Sequence, residues 1–161
     1  MIVEWKSVSE EQLKIVRSFQ QSAPVQVGKI AKELGLGVKS ATLKPGISGE
    51  IMPSHGHQAG FVIRINRHEV HHRQRFTVAH EIAHFLLHRE HIGSGVSDNT
   101  LYRSSLSDTR ERQANRLAAD ILMPWHLVEK EIEREQLSPK ELAERLGVSE
   151  TAIKIRLGIP T

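Results

Sequence analysis

Cysteine is absent from the 161 residues, which excludes disulfides and thiolate-bound metals, so any metal must be held by histidine and carboxylate. Aromatic residues make up only 4% of the chain and none is interleaved with its basic cluster, which leaves little for stacking bases. No apolar run is long enough to cross a bilayer. The start, MIVEWKSVSEEQ, has neither the basic nor the apolar block of a secretory signal, so a cytoplasmic protein without membrane contact is expected. Low-complexity segments are missing too.

What the chain does have is histidine, ten residues of it, and a formal net charge of +3 with a sequence pI near 9.4. Arg64, Arg67, Arg73 and Arg75 lie close together near three of the histidines. Such a cluster is either a solvated basic face or a weak nucleic-acid contact. The hydrophobic content of 39% suits one domain over residues 1–161.

Periodicity then orders the chain. Ser9 with Gln12 predicts a capped helix over residues 10–21, closed by Pro24, and VGKIAKEL predicts a short helix over 27–34 that stops at Gly35. VKSATL, SGEIMP and GFVIRIN are short, partly alternating and bounded by proline and glycine. They predict three strands in a small, mainly antiparallel sheet. Residues 93–108 are rich in Ser, Gly, Asn and Asp and predict an exposed loop. Helical periodicity returns over 109–123, where Ala114, Leu117, Ala118, Ile121 and Leu122 form the inward stripe, and again over 125–136. Ser138-Pro139-Lys140-Glu141 opens another helix that Gly147 ends, and Ser149 caps the last. The resulting fold class is α+β and mainly helical, with a helix-turn-helix-like pair at 137–158.

Two H-E-x-x-H strings occur, one at His68 and one at His80, and their surroundings separate them. The segment FTVAHEIAHFLLH carries apolar residues at spacings of three and four around most of its circumference, leaving His80, Glu81, His84 and His88 on the remaining face. Polar groups on a helix that buries itself must be paired or must bind a metal. Two imidazoles at i and i+4 with a carboxylate beside them form half of a hydrolytic metal site. The string at His68 has one apolar residue between Asn66 and Phe76 and is expected to be a solvated turn or the first exposed turn of the helix.

A hydrolytic zinc needs a third protein ligand and an open position for water. Glu111 is the candidate, at the start of the next long helix and aligned with Asn115 and Ala118; the plainer alternative is a first-turn carboxylate that favours the helix dipole.

RFTVAHEIAH followed by ERQANRLAADILMP resembles the metallopeptidase family named after ImmA and IrrE. That family pairs a helix of the form R-F-T-x-A-H-E-x-x-H with one of the form E-x-x-A-N-x-F-A-x-x-L-L-M-P. The match runs through Arg75, Phe76, Thr77, His80, Glu81, His84, Glu111, Ala114, Asn115, Ala118, Leu122, Met123 and Pro124, while Leu117 stands for the usual Phe and Ile121 for Leu. The resemblance extends over roughly residues 24–158. It implies a zincin-like domain with the sheet beside the metal-binding helix, His80, His84 and Glu111 as ligands and Glu81 as general base. It further implies a metal-dependent endopeptidase that cleaves a helix-turn-helix repressor of the Xre type to regulate transcription. Zinc suits His2Glu with an open site, and manganese or iron can also occupy it.

Asn115, one turn after Glu111, stands where thermolysin-like enzymes carry an acid that supports a ligand histidine; it either accepts an imidazole N–H or packs between helices. Tyr102, His126 and His88 are candidate donors to an oxyanion or contacts to substrate. A peptide substrate would add as a strand to the sheet edge beside the cleft. Two other functions compete: a non-proteolytic toxin or stress-response module that sequesters a repressor, and weak DNA binding through ETAIKIRL. Against the second, that helix offers only Lys154 and Arg156 as basic groups.

Overall fold

The computed structural model describes residues 1–93, 96–99 and 108–161, the stretch 96–99 by its backbone alone. After a 3-10 turn at Val3–Ser7 that the sequence patterns do not announce, α1 spans Glu10–Ser18 and α2 spans Val27–Glu33. Ser9 caps α1 by accepting the Gln12 N–H at 3.1 Å. The helix stops short of residue 21 at Ser18, whose hydroxyl donates back to the Ile15 carbonyl.

Three strands follow as expected, β1 (Gly37–Ala41), β2 (Ile47–Pro53) and β3 (Phe61–Asn66), and then the long α3 (His71–His88). The segment expected to be a loop after α3 contains a fourth strand, β4 (Val96–Asn99). Its composition suggests a loop because an edge strand needs neither an alternating pattern nor β-branched residues when its backbone pairs with a neighbour. The sheet order is β1-β3-β2-β4, with β1 parallel to β3 and the other two pairings antiparallel. The chain thus reverses after β1 but leaves a gap that β3 later fills, and strand patterns alone do not report that order.

The helices α4 (Asp108–Leu122), α5 (Trp125–Glu135), α6 (Pro139–Leu146) and α7 (Glu150–Leu157) complete the fold. Ser138 and Ser149 cap the last two, accepting the N–H groups of Glu141 and Ala152, and Gly147 ends α6 in the left-handed conformation at φ 68°. No described helix is long and apolar enough to cross a membrane.

One face of the sheet packs on α3, and α4 lies along α3. Gly49 of β2 makes this docking possible: a Cβ there would collide with the Thr77 methyl and lie 2.9 Å from the Arg64 carbonyl. A side chain at residue 49 would lever α3 away one turn before His80. The core between these layers is continuous, with Ile51 and Ile63 from the sheet, Ile82 and Phe85 from α3, and Leu117 and Ile121 from α4 all buried.

Two polar knots tie the periphery to this core. Arg75, near the start of α3, donates to the carbonyls of Gly147, Val25 and Leu146, which pins the α6 terminus and the chain before α2. It is a half-buried tether and no part of a basic face. Asp120, near the end of α4, accepts from the Trp5 indole N–H and from Arg156 of α7.

Candidate metal centre

Helix α3 buries an unbroken run from Thr77 to Leu86. Within it, i and i+4 spacing stacks His80 and His84 on one face, their ring centroids 4.6 Å apart and the rings perpendicular. Phe76, one turn earlier, covers the His80 ring at 6.2 Å between centroids. Both imidazoles are at most 1% exposed and Glu81 is fully buried.

Glu111 enters from the first turn of α4. Its two carboxylate oxygens stand 3.3 Å from His80 Nε2 and 3.1 Å from His84 Nε2, and the two Nε2 atoms are 3.0 Å apart. A tetrahedral zinc with ligand bonds of about 2.0–2.2 Å requires donor pairs roughly 3.3–3.6 Å apart, and here each imidazole faces its own carboxylate oxygen near that spacing, while one donor atom from each of the three residues falls within 4.8 Å of the others. His80, His84 and Glu111 form the one group of this kind among the described residues. The donor set of two imidazole nitrogens and a carboxylate is that of a borderline divalent cation such as zinc. Glu81 Oε1 sits 3.9 Å from His80 Nε2, beside the donor face.

Burial by itself would raise the Glu111 carboxyl, but hydrogen bonds from His80 and His84 and their charge outweigh it and hold the group well below the usual carboxylate range. That lowering favours the ionised form of Glu111, the state in which a carboxylate can bind a metal.

The remaining candidates are placed elsewhere. His88, expected as a substrate contact, is 5% exposed and points behind His84: its Nδ1 lies 3.0 Å from His84 Nδ1 and its Nε2 lies 2.9 Å from Gln113 Oε1. Burial pulls its imidazole below the ordinary value, a Gln113 hydrogen bond opposes this, and His84 adds to the lowering. Asn115 is exposed and lines a cavity of about 420 Å³ with Phe76, Ala119 and Met123, and among the described residues it makes no hydrogen bond to an imidazole. The reason is angular: i+4 from Glu111 advances 400°, which carries Asn115 off the stripe that Ala114 and Ala118 bury against α3. His126 hydrogen-bonds the Gln20 carbonyl at 2.8 Å beyond the far end of α4, roughly 16 Å along the helix from Glu111 at 1.5 Å per residue. Tyr102 lies outside the described residues. Gln113 was not anticipated, although its place two residues after Glu111 and the i, i+4 relation of His84 to His88 are both visible in the sequence.

The look-alike string at His68 splits between a turn and the first turn of α3, and Glu69 accepts from the Ser48 hydroxyl at 3.1 Å. The arginines around it are engaged internally, Arg64 with Glu50 at 2.7 Å and Arg67 with the Ser40 carbonyl.

A solved structure described as a Mycobacterium tuberculosis transcriptional regulator shares the fold with a TM-score of 0.60 over 94% of this chain at 16% identity. The chain spans 48% of the length of that protein. No curated protein matches it significantly. The model of the IrrE N-terminal-like domain, an M78 peptidase family, matches residues 31–158 and takes in every residue of the donor face. With four fifths of its length inside that match, the chain belongs to the M78 family of IrrE N-terminal-like domains.

Proposed function

We propose that the protein is a zinc-dependent endopeptidase that acts on a helix-turn-helix repressor of the Xre type, with His80, His84 and Glu111 as metal ligands and Glu81 as general base. The observation that carries the reading is the three-residue donor face with a fully buried carboxylate set beside it. A metal that served only to hold the fold would need no such carboxylate.

A zinc ion held there would supply a Lewis acid that activates water and polarises a scissile carbonyl. Glu81 takes the proton of the attacking water and delivers it to the departing amine, which balances the hydrolysis of one peptide bond. Glu111 stays ionised and Phe76 keeps bulk water from the His80 ring. Helix α3 holds all of this rigidly because its docking on β2 and its contact with α4 leave it little room to shift.

The repressor assignment draws on the family and on the regulator whose fold is shared. An extended substrate segment would pair with the outer edge of β4, since β4 already occupies the edge of β2. DNA binding through α7 is disfavoured by its own charges: Lys154 is paired with Glu150 at 3.3 Å and Arg156 with Asp120 at 2.7 Å.

Incubating the zinc-loaded protein with the Xre-type repressors of its own genome tests the proposal. One of them should be cut at a single site, and Glu81→Gln should bind zinc normally while losing about 10²–10⁴-fold in cleavage rate. Cleavage retained in Glu81→Gln, or intact repressors under zinc, manganese and iron alike, would defeat it.

A further inference from the structure

His88 and Gln113 do not belong to the donor face, yet they lead to the back of His84. The distances form a chain: Gln113 Oε1 to His88 Nε2 is 2.9 Å, and His88 Nδ1 to His84 Nδ1 is 3.0 Å. The far nitrogen of His84 is the one that faces Glu111 and His80.

We infer that Gln113 and His88 are positioning residues that lock the tautomer and ring orientation of His84 so that its Nε2 offers a lone pair to the metal. The inference rests on His84 being a ligand. Its logic is an accounting of protons. Two ring nitrogens that face each other within hydrogen-bond distance need one N–H and one lone pair between them. The amide oxygen of Gln113 only accepts, so His88 carries its hydrogen on Nε2 and, as a neutral ring, presents a bare Nδ1. His84 then donates from Nδ1, so that a metal taking the place of the Nε2 hydrogen that faces Glu111 meets an Nε2 lone pair directed at the donor face. Metal-binding histidines ordinarily donate their second N–H to a carboxylate, a carbonyl or water, and that partner sets the tautomer. Here a second imidazole takes that place and an amide from the partner helix sets the imidazole in turn.

The arrangement also fixes geometry. His84 and His88 are one turn apart on α3 with ring centroids 5.2 Å apart, so neither ring turns without breaking the contact. Gln113 comes from α4, the helix that brings Glu111, so the chain registers the two helices against each other at the depth of the donor face.

Zinc affinity of the purified full chain, measured by competition with a chelator at one pH, tests this without reference to cleavage. His88→Phe keeps the ring volume but removes both nitrogens and should weaken zinc about 10–100-fold. His88→Asn loses volume but places an amide oxygen near the position of Nδ1, and should stay within a few-fold of wild type. Gln113→Leu, at a half-buried position that tolerates the change, should fall between the two. A packing role predicts the reverse order, Phe tolerated and Asn not. In the zinc-loaded wild type, nitrogen NMR should show His84 protonated on Nδ1 and His88 on Nε2. Wild-type affinity in both His88→Phe and Gln113→Leu, or Asn as weak as Phe, overturns the inference; if His88→Phe does not fold, wild-type affinity in Gln113→Leu alone does so. A wild type that binds no zinc means instead that the metal reading has failed.

Discussion

Helix α4 carries a carboxylate near each end, half-buried Glu111 and buried Asp120, and the two are partnered in opposite ways. Asp120, near its C-terminus, receives the Trp5 indole N–H and the Arg156 guanidinium, and the Gln20 amide donates to the neighbouring backbone carbonyls of Asp120 and Ile121. The charge of Arg156 is permanent, so that end is a finished ion pair whose purpose is to hold the N-terminal turn and α7 against α4. Glu111, in the first turn, meets two imidazole nitrogens, groups that are donors or lone pairs according to their state. The same side-chain chemistry completes a structural ion pair where its cation comes with the fold and forms a candidate metal site where its partners are themselves potential ligands.

The comparison can be broken most forcefully at the Asp120 end. Asp120→Ala strands Arg156 in a half-buried position and should cost about 3–5 kcal/mol by urea unfolding, while zinc affinity of the folded protein stays within a few-fold. Glu111→Ala should do the converse and weaken zinc by more than roughly 100-fold, beyond the range for residues that only support a ligand. Equal zinc affinity in Glu111→Ala and wild type would erase the distinction between the two ends.

A smaller effect separates them by temperature. Zinc at 100 times its dissociation constant should stabilise wild type and Asp120→Ala by about 2.7 kcal/mol, seen as a raised melting temperature. Glu111→Ala should show no such rise, and a rise there would point to zinc bound elsewhere.

The smallest expected effect is on pH. The folded-state value of His88 is lowered, so below the ordinary imidazole value of about 6.5 the unfolded chain binds more protons and stability falls as pH drops. Glu111, also lowered, contributes stability above the ordinary carboxyl value of about 4.3 that is lost on further acidification. In the metal-free protein the stability difference between wild type and His88→Asn should therefore shrink below about pH 6.5, and that between wild type and Glu111→Gln below about 4.3. A difference that grows on acidification would reverse the sign and contradict the assignment.

Much of the fold is legible in the sequence where one element states its own boundaries. Ser9, Ser138, Ser149 and Gly147 mark helix ends because a cap is a hydrogen bond made within a few residues. The burial of α3 is legible because its apolar spacing leaves a single polar face. Strand β4 is not, since its partner lies more than forty residues back in β2 and its own composition reads as a loop. Asn115 misleads for a related reason: its spacing from Glu111 suits a residue on the same face, but the roughly 40° by which four residues overshoot a full turn carries it into the neighbouring cavity instead. The contact of Gln113 with His88 escapes notice because a contact between helices has no signature in either one.

By itself the sequence determined the candidate donor types, the i, i+4 placement of His80 and His84, Glu81 beside them and the family, all of which are local patterns on single helices. Only the tertiary structure decided that Glu111 closes a donor face 3.1–3.3 Å from both imidazoles, that His88 lies behind His84, and that Arg156 is paired with Asp120. The division follows from the physics: helical spacing is set by 3.6 residues per turn and is written in the chain, whereas the angle and depth at which two helices dock depend on every side chain between them.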